Sequence, residues 1–451
     1  MKRLLAAGLL SVAAACGGGG GGGGGGGTGG EPAPWETGSY DPPWKNIAPT
    51  TTMSFTYNGG QTSLQNGAAL AAAILALQPG QRLEIGNGTY SINLWFDIVL
   101  QGTAAAPIWI VAAAGATPAL TRPDAAQNVI NIGSGGPTRY LCLRGLTITG
   151  GSDLLRLYDC ANVWIDGCAL HDGSGVGIAA NSADTDRLHI TRNTIYRPNG
   201  GTAATGECMY LGANNSLHRM THSVVALNHC YDTSGASQGD GIEVKQGSHT
   251  NWIAENHVHD TNYPCLLVYG TDGLGINLVE RNDLHGSADN TLQVQGEAVV
   301  RNNMIMAGAT GFASFNHQGQ PVNLTFVHNT IVNTGRAANL ADWDGQAGMV
   351  FANNAVYSKT AESIRINGGA SGVTLAGNVV LGGVIGASGG TVNGTGLADF
   401  TAVAWDASSR NALPSAGGPL IGAGAAAHAV EEDYTGAART LPVDAGAYER
   451  N

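Results

Sequence analysis

Charged residues make up only 12% of this 451-residue chain, and aromatic residues only 6%. A disordered chain would carry more charge and less than the 43% hydrophobic content found here, so a buried core is expected. Positive charge is scarcer still: 21 Lys and Arg against 33 Asp and Glu leave a net charge of -12. Nucleic-acid binding needs a basic face that releases counterions, and that class is excluded. An acidic chain can still hold a polyanion through an intervening cation. No long uncharged apolar run follows the first 16 residues, so no membrane span is predicted. Cysteine is sparse and lacks paired metal-type spacing, so zinc is not expected. Cys142, Cys160, Cys168, Cys208, Cys230 and Cys265 read as small core residues, although an exported protein can form disulfides.

Glycine, by contrast, is abundant at 69 residues, too many for a helical protein and suited to many short strands and tight turns. The N-terminus carries a targeting pattern: basic Lys2 and Arg3, apolar Leu4 to Val12, then small Ala13, Ala14 and Ala15 before Cys16. This resembles a bacterial lipoprotein signal, which implies lipidation of Cys16 and a membrane contact through that anchor alone. Ala13 stands where that signal class usually has leucine, so simple secretion after cleavage at Ala15 is the other reading. Gly17 to Gly27 reads as a flexible tether.

The strongest pattern is a repeat, apolar-x-x-Asn-x-apolar. It is centred on Asn193, Asn228, Asn256, Asn282, Asn302, Asn329, Asn354 and Asn378, with Gly167 in the same place one copy earlier. Alternation around each anchor has period two, which predicts strands flanking an asparagine bend. One such coil cannot bury its apolar face alone, but a stack of coils can. The fold class expected is all-β, a right-handed parallel β-helix of three-strand coils, running from about Gln81 to Val380. A short helix over Leu64 to Leu77 caps its first coil. The domain reading is 1–15 signal, 16–48 anchor and linker, 49–395 β-helix, and 396–451 closing segment.

Particular stretches resemble known families. Pro79 to Ile85 and Gly88-Thr89-Tyr90 are similar to the opening coil of bacterial β-helix proteins of the pectate-lyase-like superfamily. Gly102-Thr103 through Pro107-Ile108 to Gly115, followed by Tyr140-Leu141 and Arg144 to Ile148, resembles the chondroitinase-B-like and alginate lyases of polysaccharide lyase family six. Asp433 to Gly436, Arg439 and Asp444 to Glu449 resemble a closing segment of secreted β-helices, read as structural. The family-six resemblance places a substrate groove along the first strand of each coil and the loop before it.

Aligning those first strands by repeat register pairs Cys208 to Gly212 with Gly241 to Lys245, Cys265 to Tyr269 and Thr291 to Gln295. Alternation puts Ile242 and Val244 inside and Glu243 and Lys245 outside. One outward column reads Tyr210, Glu243, Leu267, Gln293; the next reads Gly212, Lys245, Tyr269, Gln295. Glu207 and Asp240 end the preceding loops on neighbouring coils. This set suits β-elimination on a uronate-containing glycan. A hard cation on Glu207, Asp240 and Glu243, calcium by its taste for carboxylate oxygen, neutralises the sugar carboxylate. Lys245, with Glu243, then serves as the base, while Tyr210, Tyr269, Gln293 and Gln295 meet the sugar. The family pairs its lysine with an arginine; none aligns here, and Arg219 in the turn after Leu211 is the candidate. Read without function, Glu243 and Lys245 are an exposed ion pair on a solvated sheet, and removing an exposed Lys245 would hardly affect folding.

His171-Asp172 and His259-Asp260, with Tyr231-Asp232 between them, read as a solvent-facing ladder on the third strand. Gly239 to Ser248 also resembles a stretch of the pectin-hydrolase β-helices, but Asp240-Gly241 stands where those enzymes have paired acids. The expected function is an extracellular lyase acting on an acidic polysaccharide, with a non-catalytic glycan-binding surface lipoprotein, a C5-epimerase or a hydrolase as alternatives. A monomer is expected, placed at the outer membrane or cell surface, or else secreted.

Overall fold

Runs of three to five apolar and β-branched residues, each ended by a polar bend, are too short for helices and build strands that pair only between coils. In the computed structural model, which describes residues 32–201, 203 and 205–450, they wind into a right-handed parallel β-helix. The signal-like segment, Cys16 and the Gly17 to Gly27 run lie outside the described residues. Ladder pairing along the solenoid is parallel throughout. The second strands form one continuous stack, from Thr51–Phe55 through Gln81–Ile85 to Val373–Ala376. The solenoid therefore begins one strand earlier than Gln81, ahead of the helix. Its last strand is Thr391–Asn393, paired with Asn378–Val380.

The interior is a set of aligned apolar columns. Met209, Ile242, Leu266, Leu292 and Phe312 succeed one another on the first strands, all fully buried. Val225, Ile253, Val279, Val300, Phe326 and Phe351 do so on the second. Phe312 and Phe326 stack with centroids 4.0 Å apart, and Phe326 and Phe351 with 5.1 Å. Each such side chain contributes about 1.5–3 kcal/mol by leaving water. The six described cysteines are buried and unpaired, and burial pushes the thiols of Cys142, Cys160, Cys168, Cys208 and Cys265 up. Among the described residues no helix is long and apolar enough to cross a membrane.

Asparagine amides tie the coils together at the bend between second and third strands. Asn228 Nδ2 donates to Ile190 O at 2.8 Å and Asn256 Oδ1 at 3.0 Å, and its Oδ1 accepts from the N–H and Nδ2 of Asn193 at 3.0 Å. The four-bond capacity of the amide is thus filled by neighbours above and below. The ladder runs Asn193, Asn228, Asn256, Asn282, Asn303, Asn329, Asn354, Asn378. Two positions differ from the repeat reading by one residue. Asn303, not Asn302, is the rung, and Cys168, not Gly167, precedes Asn193 in the ladder. Gly167 and Asn302 occupy the left-handed residue just before each rung, with φ of 59° and 55°. A second, shorter ladder, Ser223–Asn251–Asn277, stands at the bend before the second strand.

The helix spans Ser63–Leu75, slightly shorter than expected, with Thr62 and Gln65 bonded reciprocally at its start. It buries Leu70, Ala71 and Ile74 against the first coil. A β-carbon at Gly67 would lie 2.0 Å from Ser91 O, so only glycine lets the helix seat there. Residues 33–47 form a strap over the outer face of the second strands. Trp44 sits edge-on to Trp109 and Trp164, with centroids 5.5 and 5.9 Å away, and Tyr40 lies on Trp252 at 4.4 Å. The C-terminal segment packs on outward side chains of the late third strands, among them Met304, Met306 and Val332. It is tied down internally by a buried Arg439–Glu449 ion pair of 2.9 Å.

Candidate active site

The strand Ile242–Val244 sends Ile242 and Val244 into the core and turns Glu243 and Lys245 the other way. Its pairing with Met209–Leu211 and Leu266–Val268 sets Glu243 between Tyr210 and Leu267, and the next pairing sets Gln293 beyond Leu267. Backbone bonds Lys245 N to Leu211 O, Tyr269 N to Val244 O and Gln295 N to Val268 O carry the register one residue further. Lys245 therefore follows Gly212 and precedes Tyr269 and Gln295. Glu207 and Asp240 stand at the same loop end on adjacent coils, where Cys208 N–H donates to Asp240 O at 3.1 Å.

These residues are not on a solvated sheet. Glu243 is 1% exposed and Lys245 3%, which corrects the reading of an exposed ion pair. They lie at the floor of a cleft of about 610 Å³. Side chains from several coils wall it: Asn214, Gln238, Tyr263, Phe315, His317 and Gln318. Gln318 Nε2 donates to Asn214 Oδ1 at 3.2 Å, joining turns 104 residues apart along one edge. Burial thus follows from turns that the strand alternation does not describe.

On the floor, Lys245 Nζ donates to Glu243 Oε1 at 2.6 Å and sits 4.7 Å from the ring centres of both Tyr210 and Tyr269. The two rings confine the ammonium by cation–π attraction while its carboxylate partner neutralises it. Carboxylate oxygens of Glu207, Asp240 and Glu243 all lie within 4.8 Å of one another. Both Asp240 oxygens and Glu243 Oε2 are buried without a hydrogen-bond partner. Three carboxylates against one ammonium leave an excess of negative charge out of water, which demands protons or a cation. Burial, and then the charge of Glu243, raise Glu207 to about 7. Burial followed by the charges of Glu243 and Glu207 pushes Asp240 well up, and burial raises Glu243 in spite of Lys245.

Gln293 belongs to the cleft: its Nε2 donates to His317 Nδ1 at 2.8 Å, and its Oε1 accepts from Asn290 at 2.9 Å. Two expectations are corrected. Gln295 is buried beside Gly270 and Gly319 and is not part of the cleft wall. Arg219 faces the turn side, 3.6 Å from Asp272 and against Gly247, and among the described residues lining the cleft there is no arginine. The missing signal was the turns themselves: Tyr263 and His317 flank first strands outside their alternation, whereas Phe315 continues the outward column of Lys245, Tyr269 and Gln295. Gly241 explains the absence of a paired acid after Asp240. A β-carbon there would meet Cys265 O at 2.4 Å and Val258 Cγ1 at 2.2 Å, so this backbone admits no side chain at that position.

A second hollow, lined by Arg122, Asp172, Arg197 and Asp232 among others, lies on the third-strand side. Two of these charges, Arg197 and Asp172, pair at 2.6 Å. On that side the expected solvent-facing ladder is a half-buried stack, His171–Tyr196–Tyr231–His259–His285, with adjacent centroids 4.8 to 5.2 Å apart.

Comparison with known proteins agrees on the architecture. The solved complex of XylC with xylose superposes with a TM-score of 0.58 at 9% identity, covering 88% of this chain and 98% of that one. Pectate lyase Pel9A gives 0.49 at 15% identity, covering 90% and 98%. A mannuronic acid specific polysaccharide family 6 lyase from human gut microbiota gives 0.47 at 12% identity, covering 76% and 86%. No curated protein matches by sequence. The sequence profile described as "Right handed beta helix region" matches residues 129–276 and 213–356, and together these matches take in the coils that build the cleft. With the parallel stacks and the amide ladder already described, they show that the chain belongs to the right-handed β-helix family.

Proposed function

We propose that this protein is an exported polysaccharide lyase that cleaves a uronate-containing chain by β-elimination over Glu243 and Lys245. One observation carries the reading: Asp240, Glu243 and Lys245 line an open cleft almost withdrawn from water, with the buried carboxylate of Glu207 within 4.8 Å of the other two. Structural ion pairs rarely leave three buried carboxylate oxygens without partners, whereas a site awaiting substrate does.

In the reaction a base takes the proton beside the sugar carboxylate, the bond from the next carbon to the glycosidic oxygen breaks, and a carbon–carbon double bond forms. Glu243, raised by burial and 2.6 Å from Nζ, takes the ammonium proton and leaves Lys245 as the free amine that abstracts the sugar proton. Tyr210 and Tyr269, whose phenols are held protonated by burial and by the adjacent carboxylates, return a proton to the departing oxygen. Glu207 and Asp240 would hold a hard cation such as calcium, with both Asp240 oxygens buried and unpartnered and a Glu207 oxygen within 4.8 Å, while Glu243 keeps Oε1 for Lys245. When bound, that ion neutralises the sugar carboxylate and so acidifies the proton beside it. Tyr263, Phe315 and Gln293 along the walls offer ring faces and an amide to the sugars on either side.

Those ring faces also favour a second reading, a cleft that binds glycan without cleaving it. Incubation with alginate, pectate and glycosaminoglycans, followed by the ultraviolet absorbance of the unsaturated product, separates the two. Product from one polymer, lost in Lys245→Met, supports the lyase. Retention on an acidic glycan column with no product from any polymer supports the binder.

A further inference from the structure

The third strands carry a histidine cluster unrelated to the cleft. His229–Tyr231, His257–Thr261 and Asp283–Ser287 pair in register, so that His229, His257 and Asp283 form one outward column and Tyr231, His259 and His285 the next. Cys230, Val258 and Leu284 between them point into the core. The rings are stacked: His229 on His257 at 4.8 Å and 4°, His259 on His285 at 4.9 Å and 3°. Across the columns, His229 Nε2 lies 2.8 Å from His259 Nε2, and His257 Nε2 lies 3.1 Å from His285 Nε2. Each contact needs one nitrogen with a proton and one with a lone pair.

The tautomers follow from the surroundings. Asp260 Oδ2, 2.7 Å from His259 Nδ1, holds the proton on that nitrogen and leaves Nε2 with its lone pair toward His229. This carboxylate–imidazole arrangement is the one that orients metal-ligating histidines. The facing charged groups are Asp260, Asp283 and Arg410, the last from the C-terminal segment.

We propose that His229, His257 and His259 bind one divalent transition-metal ion of the zinc–copper class, with Asp260 positioning His259. One nitrogen from each ring lies within 4.8 Å of the others, and the stacked His229 and His257 rings would tilt toward each other to share one ion. Three imidazoles select borderline ions over calcium. A second grouping of His257, Asp283 and His285 is less suited, because Arg410 donates to Asp283 at 3.1 Å and would face the ion. On binding, the ion replaces the proton between His229 and His259, and His229 carries that proton on Nδ1 instead. Cysteine spacing argued against zinc; the donors here are imidazoles brought together from adjacent coils.

The test uses full-length protein without a polyhistidine tag, stripped with a chelator and dialysed. Titration calorimetry with zinc chloride is expected to saturate at one zinc per chain and to be unaffected by excess calcium chloride. His257→Phe keeps the ring stack but removes a ligand and is expected to abolish uptake, with folding checked by circular dichroism. Asp260→Asn is expected to weaken affinity roughly ten- to a hundredfold, and His171→Phe, elsewhere on the stack, to leave it unchanged. Failure to take up zinc, undiminished uptake in folded His257→Phe, or displacement of zinc by calcium would overturn the assignment.

Discussion

Lys245 Nζ lies 2.6 Å from Glu243 Oε1, and both side chains are almost fully withdrawn from water. Deleting one member of such a pair strands the other. Lys245→Ala is therefore expected to cost on the order of 3 kcal/mol in urea denaturation, as well as abolishing activity. Lys245→Met fills the same space; paired with Glu243→Gln it should recover most of the stability and none of the activity. Lys245→Arg should not restore turnover, because a guanidinium stays protonated at neutral pH. Wild-type stability in Lys245→Ala would show that the pair is solvated in solution.

The crowding of carboxylates sets a pH dependence. Glu207 is raised from 4.5 to about 7, chiefly by burial and then by Glu243. In the unfolded chain it ionises near 4.5, so between these values the folded state holds the extra proton. Its contribution to stability is full below about 4.5 and is lost as pH rises through about 7. Without divalent cation, the melting temperature should fall over this window more steeply in wild type than in Glu207→Gln. Equal slopes would remove Glu207 as the cause.

Calcium should reverse that loss. An ion that binds the folded carboxylate cluster and not the unfolded chain stabilises by mass action, about 2.7 kcal/mol at a hundredfold excess over its dissociation constant. Asp240→Asn should gain little from calcium, because it removes a carboxylate that converges with Glu207 and Glu243. A calcium-induced rise of the same size in wild type and Asp240→Asn would place the ion elsewhere.

The amide ladder makes a prediction about the fold alone. Asn256 accepts from Asn228 N–H at 3.1 Å and donates to Val225 O at 2.8 Å, all buried. Asn256→Ala leaves both backbone groups without partners, and each such loss costs about 1–3 kcal/mol. Urea denaturation should show a loss of at least about 2 kcal/mol, with the cleft chemistry otherwise intact in the folded fraction.

Some of this was legible in the sequence for a definite reason. Parallel coils repeat a side chain's environment at every turn, so Asn193, Asn228 and Asn256 announce themselves by recurrence, and Tyr210, Glu243, Leu267 and Gln293 fall into one column by alternation. The slip at Asn302 arose because Asn303 fits the same pattern, and only the backbone distinguishes the left-handed residue from the rung. Burial of Lys245 was not legible, since it depends on Tyr263 and His317 in turns of unequal length. Arg219 was misplaced for the same reason: outside strands there is no period to say which way a side chain faces. The imidazole cluster was half visible. His259 was noted on its outward column, but His229 and His257 lie on the adjacent column and gain meaning only when four nitrogens are seen to converge.

Because each coil pairs its strands only with the coils before and after it, the strand stack itself sets no fixed length. The cleft draws on the coils between Tyr210 and Gln318, and the described solenoid extends well beyond them in both directions. Adding or removing a whole coil in the flanks changes how far the molecule reaches and leaves the spacing of Asp240, Glu243 and Lys245 untouched. The same edit inside that stretch shifts the carboxylates against the wall that faces them by a full rung, about 4.8 Å. Copy number is thus neutral at the ends and decisive in the middle, which lets such a chain vary its length without retuning its chemistry.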